Sequence, residues 1–353
     1  MNDKLIKIGI TQGDINGVGY ELILKTLEDV RILEFCIPVI YGSSKILAYH
    51  RKALDFSPIN INIVGNVRDI HVNRINLVNS VSDELMVELS RQTKEGAEAA
   101  ETALRKAIAD LKGGSIHALL TAPAIDDPET VIQSEVGEGK QTLKMLIYDN
   151  LRIALATGKI PLADVPASLS VNSLTEKIKL LHNTLIHDFI VTSPRIAVLS
   201  LNPGTEHKEQ WGKEEQDVIA PALTAASEAG ICCFGPYAAD KLFASDDYRK
   251  FDAIMAMYYD QALIPFRSIT SGEGVYYTAG LPVIATAPDQ GVAYELAGKN
   301  LCPENSFRNA LYLAADLTHN RMVDKEIYAN PLRKQYFERG SDNEKLDLTK
   351  DEI

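Results

Sequence analysis

Two carboxylates, Asp240 and Asp260, follow apolar stretches, and the second closes the run Phe251 to Gln261, F-D-A-I-M-A-M-Y-Y-D-Q. Such a pair could bind a divalent metal or move a proton. The competing reading is an exposed pair with no function. Asn202 leaves an apolar strand in L-S-L-N-P-G-T-E-H, where it could bind a polar group or merely help the chain turn. Q-G-D-I-N-G-V-G, Gln12 to Gly19, joins a strand to a helix, where backbone N–H groups can meet an anion. The alternative is a tight turn with Asp14 or Asn16 capping the helix. Its spacing is neither the dinucleotide fingerprint nor a Walker loop. In P-D-Q-G-V-A-Y-E-L-A-G-K-N, Pro288 to Asn300, small Gly291 and Ala293 would let a flat adenine approach the backbone. Asp289 or Glu295 could accept from a ribose hydroxyl there; otherwise the segment is a turn and helix cap. None of the seven histidines forms an H-x-x-x-H pair, so no zinc pair lies ready on one helix face.

Strands and helices alternate along the chain to hold these residues. Lys4 to Thr11, Phe35 to Tyr41, His117 to Thr121, Arg152 to Thr157, Arg195 to Leu201, Phe251 to Met257 and Val283 to Ala287 read as strands. Continuous apolar runs of this kind belong to a sheet covered on both faces. Helices are predicted over Tyr20 to Leu27, Ser44 to Leu54, Thr93 to Lys112 and Glu214 to Ala229. The third is the clearest, with Ala97, Ala100, Leu104, Ala107, Ile108 and Leu111 on one face and Gly113-Gly114 as its stop. The pattern predicts a largely parallel α/β sheet. The polar tail from Arg339 is expected to fray.

A chain of 353 residues suits two lobes. Its net charge of −12 argues against nucleic acid or an anionic membrane as the main partner, while leaving room for a local basic pocket. No apolar run reaches the roughly 20 residues needed to span a bilayer. Four cysteines without C-x-x-C spacing, and no secretory leader, read as reduced thiols in a cytoplasmic protein.

The ordered segments I-T-Q-G-D-I-N-G-V-G, L-L-T-A-P, L-R-I-A-L-A-T-G-K-I-P-L, P-R-I-A-V-L-S-L-N-P, G-P-Y-A-A-D-K-L-F, F-D-A-I-M-A-M-Y-Y-D-Q and P-D-Q-G-V-A-Y-E-L-A-G resemble the 4-hydroxythreonine-4-phosphate dehydrogenase family over nearly the whole chain. The resemblance implies a two-lobed α/β/α fold similar to isocitrate and isopropylmalate dehydrogenases. One lobe would comprise residues 1–125 and 285–353 on the cofactor side, the other residues 126–284. It also implies a homodimer whose cleft draws on both subunits, a phosphorylated hydroxy amino acid as substrate, NAD as hydride acceptor, and a divalent ion held by three imidazoles.

This chain departs from that pattern. The histidines of T-T-H-I-P-L, L-N-P-H-A-G and M-Y-H-D-Q are Lys159, Gly204 and Tyr259. The G-H-T-E motif has no counterpart, and Arg267, Tyr276, Ala285 and Gln290 stand at other changed positions. Losing the imidazoles removes the neutral donors a transition metal prefers, so no metal is expected in the usual place. His207 could restore one donor through a shifted loop. The resemblance leaves Asp240, Asp260, Lys159 and Tyr259 as catalytic candidates, with Lys159 pairing with the two aspartates in place of the ion. Asn202, Arg267 and Tyr276 remain for substrate, and Asp289, Gly291, Ala293, Glu295 and Gly298 for cofactor. Three functions follow: the family's NAD-dependent dehydrogenation in vitamin B6 biosynthesis, an inactive paralogue that binds a small ligand or partner protein, or a metal-independent reaction using Lys159 and Tyr259.

Overall fold

The computed structural model describes residues 5–205 and 207–329. The tail from Arg339 and the start of the first strand at Lys4 lie outside the described residues. Twelve strands form one sheet: β1 (Ile6–Thr11), β2 (Cys36–Gly42), β3 (Ile61–Val64), β4 (Ile75–Asn79), β5 (Ala118–Thr121), β6 (Leu143–Tyr148), β7 (Leu151–Leu155), β8 (Ile196–Leu199), β9 (Cys233–Tyr237), β10 (Ala253–Ala256), β11 (Val275–Ala279) and β12 (Ile284–Pro288). Their order is β3-β4-β2-β1-β5-β12-β11-β6-β7-β10-β8-β9. The helices are α1 (Gly19–Leu27), α2 (Ser44–Ala53), α3 (Lys94–Lys112), α4 (Pro128–Val136), α5 (Val165–Ser168), α6 (Val171–His187), α7 (Ala220–Glu228), α8 (Ala239–Ala244), α9 (Tyr259–Thr270) and α10 (Asn305–Ala329).

The sheet is parallel at both ends and antiparallel in the middle. Strands β3 to β12 in that order run parallel, as do β7, β10, β8 and β9. β11 and β6 join the two sets through antiparallel pairings with β12, with each other and with β7. The two parallel halves therefore point in opposite directions. The expected parallel sheet is present, and its central reversal is the new element.

Both faces of the sheet are covered, but unequally. On one face a single core runs through both halves, joining Ile8, Ile10 and Leu22 to Met145, Tyr277, Ile178 and Leu311. On the other face the core is broken in two. Ile37, Val39 and Leu119 pack with the α3 residues Ala103, Ala107 and Ile108 at one end, and Leu146, Ile153 and Ile254 pack with the α9 residues Leu263 and Phe266 at the other. Between these clusters, over parts of β12, β11 and β6, a gap opens beside α4 and the end of β7. That break is where a ligand can enter.

Local chemistry accounts for most boundaries. Thr93 caps α3 by accepting from Gly96 N, and Gly114, at φ +67°, allows the chain to turn after it. The helix expected over Glu214 to Ala229 begins instead as a π-turn over Glu215–Ile219, before α7 takes over. The Gly-rich turn is buried throughout, and its polar groups are satisfied inside the protein. Asn16 N donates to Asp14 Oδ1 (2.8 Å), Asn16 Nδ2 to Thr93 Oγ1 (2.8 Å), and Val18 N to Val292 O (3.1 Å). A Cβ on Gly19 would stand 2.2 Å from Gln12 O, so that position tolerates no side chain. The N-cap of α1 is Val18, without a side-chain bond, so the Asp14 or Asn16 cap does not form.

Buried His50 on α2 bonds through Nε2 to Ile15 O (2.8 Å) of that turn. Burial pushes its imidazole pKa down to about 4, against the opposing pull of that hydrogen bond. The folded chain therefore refuses a proton that the unfolded chain accepts near pH 6.5. Stability from this group is full above that pH and is lost as pH falls toward 4, by about 3 kcal/mol in all. Urea unfolding at pH 7.5 and pH 5 should show most of this loss, and His50→Gln should remove it. An unchanged pH dependence in the variant would assign the loss to other groups.

Candidate functional site

The break in the core is a cleft of about 530 Å³. Its floor alternates out of the sheet: Lys144 of β6, Tyr276 and Thr278 of β11, and Ala285 and Ala287 of β12 point to this side. The two alanines leave the space that larger side chains would fill. One wall is α4 with residues 121–125, and the other is the end of β7 through Lys159, with Tyr259 at the start of α9. Asp127 caps α4 by accepting from Glu129 N, and Pro128 opens its first turn. The start of α9 is secured by Gln261, which accepts from Met257 N (2.7 Å) and donates to Ser200 O (2.7 Å). The amide at the end of the apolar run is thus a structural brace.

Lys144, Lys159 and Lys177 line the cleft, each in a different state. Lys144 is neutralised by Glu129 (2.5 Å) and Asp127 (3.4 Å) of the α4 wall. Burial opposes its charge, but these carboxylates win and raise its pKa. Lys159 is exposed and sits over the Tyr259 ring, 6.0 Å from the centroid. Lys177 reaches from α6 to donate to Ala156 O, and burial holds its ammonium below the ordinary lysine range. Among the described residues, neither Lys159 nor Lys177 has a carboxylate partner.

Tyr276 lies beside Tyr259, Arg267 and Asp289. Burial, then the nearby Asp289 charge and the neighbouring Tyr259 hydroxyl, push the Tyr276 phenol well up, so it remains protonated. Arg267 binds Asp289 through two parallel bonds, Nη2 to Oδ1 (2.6 Å) and Nε to Oδ2 (2.9 Å). Both Asp289 oxygens are thereby occupied. The expected helix start after Pro288 is a series of turns, and the next helix begins at Asn305. Within those turns Gly291 and Glu295 are exposed, and a Cβ on Gly291 would meet nothing within 4 Å. Ala293 has φ +45°. Gly298 has φ +76°, and a Cβ there would stand 2.8 Å from Leu89 Cδ1. A flat group could approach the open Gly291 side.

The remaining candidates lie elsewhere. Asp240 and Asp260 are exposed at the first turns of α8 and α9, and neither forms an ion pair with Lys159. The charge-paired replacement for a metal is therefore absent within one chain. Asn202 is held by acids: its Nδ2 donates to Glu214 Oε2 (2.9 Å) and Glu215 Oε2 (2.8 Å). Fully buried Glu215 also accepts from Leu201 N, Asn202 N and Gly212 N. Burial opposes its charge, but the hydrogen bonds, first those from Asn202, outweigh it and hold the carboxyl below the usual range.

The family's divalent ion does not fit these donors. An ammonium, a glycine and a phenol stand at the three imidazole positions, and Gly204 contributes no side chain. Among the described residues no group of three His, Cys, Asp or Glu side chains could hold a metal. Sequence reasoning missed Lys144, Lys177, Thr278 and Glu129. Lys144 had a signal, a single cation in the apolar strand L-K-M-L-I-Y. Lys177 had none, because a helical lysine ordinarily reads as solvated.

The site is thus a lysine-lined cleft over the reversal of a two-directional α/β sheet. Residues 34–314 match the family model described as pyridoxal phosphate biosynthetic protein PdxA, and the chain belongs to that family. It is 45% identical to the 4-hydroxythreonine-4-phosphate dehydrogenase of Bacteroides thetaiotaomicron over 99% of this chain and 98% of that protein. The corresponding enzyme of a Sulfurihydrogenibium species is 33% identical over 88% of this chain and 98% of its own length. The solved 4-hydroxythreonine-4-phosphate dehydrogenase of Burkholderia phymatum superposes with TM-score 0.73 at 27% identity, covering 89% of this chain and 99% of that one. Among the described residues no helix is long and apolar enough to cross a membrane, and all four cysteines are free.

Proposed function

We propose that this chain is a metal-independent member of its family that binds 4-hydroxythreonine 4-phosphate, or a close analogue, in the lysine-lined cleft. The observation that carries this reading is the cleft itself, where Lys159, among the described residues, has no carboxylate partner beside three hydrogen-bonding side chains, Tyr259, Tyr276 and Thr278. Phosphate or carboxylate oxygens meet the Lys159 ammonium there. Lys159 supplies a positive charge at a position where the family has a metal ligand. Tyr259 and Tyr276 orient the substrate hydroxyl, and Arg267 neutralises Asp289 beside them. NAD, when bound along Gly291 to Gly298, accepts a hydride. Ala293 and Glu295 border that path. Asp240, Asp260 and Asn202 are given no catalytic part within one chain.

The reading includes two lobes, residues 1–125 with 285–353 and residues 126–284, and a homodimer. Exposed Leu162 and Ile264 are apolar surface suited to a second copy. Light scattering of the purified chain tests that state.

The deciding experiment is NAD reduction with 4-hydroxythreonine 4-phosphate, with added zinc, magnesium or manganese and with chelator. NADH formation unchanged by chelator is expected. Formation that requires metal would overturn the metal-free reading. Binding by calorimetry without any NADH would favour the inactive-paralogue reading, motivated by the lost imidazoles. Lys159→Ala should weaken substrate binding about tenfold by calorimetry. Unchanged affinity would remove Lys159 from the site.

A further inference from the structure

Three lysines line one cleft, yet only one is suited to act as a neutral amine. Lys144 is held charged by Glu129 and Asp127, and Lys159 is exposed to solvent. Lys177 differs from both. It is half-buried at the end of β7, its hydrogen-bond partner is the neutral carbonyl of Ala156, and among the described residues no carboxylate pairs with it. Nothing in the reaction described above uses it.

We propose that Lys177 is an imine-forming amine, which attacks the carbonyl carbon of a phosphorylated keto ligand bound in the cleft. The inference rests on the reading of this cleft as a phosphorylated-substrate site. An amine partly withdrawn from water, with no carboxylate partner among the described residues, loses its proton more readily, and the free lone pair is the nucleophile. Its pKa direction agrees with that environment. The lone pair of Nζ forms a bond to the carbonyl carbon. The carbonyl oxygen leaves as water, taking both amine hydrogens, and one further proton makes the iminium.

A purpose follows from a donor set that does not fit a metal ion. Oxidising a 3-hydroxy acid leaves a β-keto acid, whose decarboxylation needs a sink for two electrons. The iminium provides it: the bond between carbon and carboxylate breaks, CO2 leaves, and the electron pair becomes an enamine. The enamine carbon then takes a proton, and water releases the ketone and regenerates the lysine. No oxidant or reductant enters these steps.

The test uses dihydroxyacetone phosphate, a phosphorylated ketone, with sodium borohydride to reduce any imine to a stable amine. Intact mass should show one adduct per chain, and peptide mapping should place it on Lys177. Lys177→Met and Lys177→Arg should lose the adduct, with the arginine variant keeping the wild-type melting temperature. Lys159→Met should retain the adduct on Lys177 but require about tenfold more ligand. An adduct on another lysine, or persisting in Lys177→Arg, would overturn the proposal. Binding by calorimetry without any adduct would overturn it and leave the cleft reading standing. Absence of binding would overturn both.

Discussion

Replacing Arg267 with methionine should lower stability by about 3–5 kcal/mol, because it strands a buried carboxylate. The Asp289 side chain is only 1% exposed, whereas that of Arg267 is 52% exposed. The guanidinium keeps access to water while discharging the acid, and two parallel bonds fix its plane. Asp289 also anchors its surroundings through its N–H, which donates to Ser306 Oγ (2.8 Å). The loss should sit at the lower end of the range, since the arginine face is solvated and only the carboxylate is left unpaired. Adding Asp289→Leu to Arg267→Met should recover most of it, because the pair is then replaced by apolar groups. Urea unfolding of the two single variants and the double variant measures the coupling. A loss below about 1 kcal/mol for Arg267→Met would mean the pair behaves as an ordinary surface ion pair.

Asp188→Ala should be at least as damaging, also about 3–5 kcal/mol. Asp188 ends α6 and accepts from Arg321 Nε (2.5 Å), Arg321 Nη2 (3.1 Å) and Tyr277 Oη (2.6 Å). The side chains of Arg321 and Asp188 are 20% and 6% exposed. Burial opposes the Arg321 charge, but Tyr277 and Asp188 raise its pKa, so the cation remains and cannot neutralise itself. The cluster ties α6, β11 and α10 together on the continuous-core face. Tyr277→Phe removes the bond to Asp188 and the one its hydroxyl accepts from Arg321 Nη2 (3.0 Å) but leaves the ion pair, so it should cost about 1.5–3 kcal/mol. Thermal and urea unfolding should rank Asp188→Ala above Tyr277→Phe. The reverse order would mean that the tyrosine, not the ion pair, holds the three elements.

Much of this fold was legible because burial leaves a local trace. Continuous apolar runs marked β2, β5, β8, β10 and β12 to within a few residues, and the three-and-four spacing of alanine and leucine marked α3. Other elements left a weaker trace. The helix α10 buries Phe307, Ala310, Leu311, Ala314 and Leu317 at three-and-four spacing, a signal that the reading of the sequence passed over. β6 and β11 carry Lys144 and Tyr276 toward the cleft, which breaks their apolar run where function needs polarity. The loss of three imidazoles was readable from the ordered motifs alone. The fate of what replaced them was not: Lys159 near Asp240 and Asp260 was an expectation about space, and those carboxylates lie exposed and unpaired with it.

By itself the sequence determined the alternation of strand and helix, the family, and the residue types at Lys159, Gly204 and Tyr259. Only the tertiary structure decided that the sheet reverses at β11 and β6, that the core breaks there on one face, and that Lys144, Lys159, Lys177, Tyr259 and Tyr276 meet in that break. It also decided that Asp289 spends its charge on Arg267. The physical reason is range. Periodicity and propensity are set by neighbours a few residues apart, whereas charge pairing depends on which distant segments the packed sheet brings within about 4 Å.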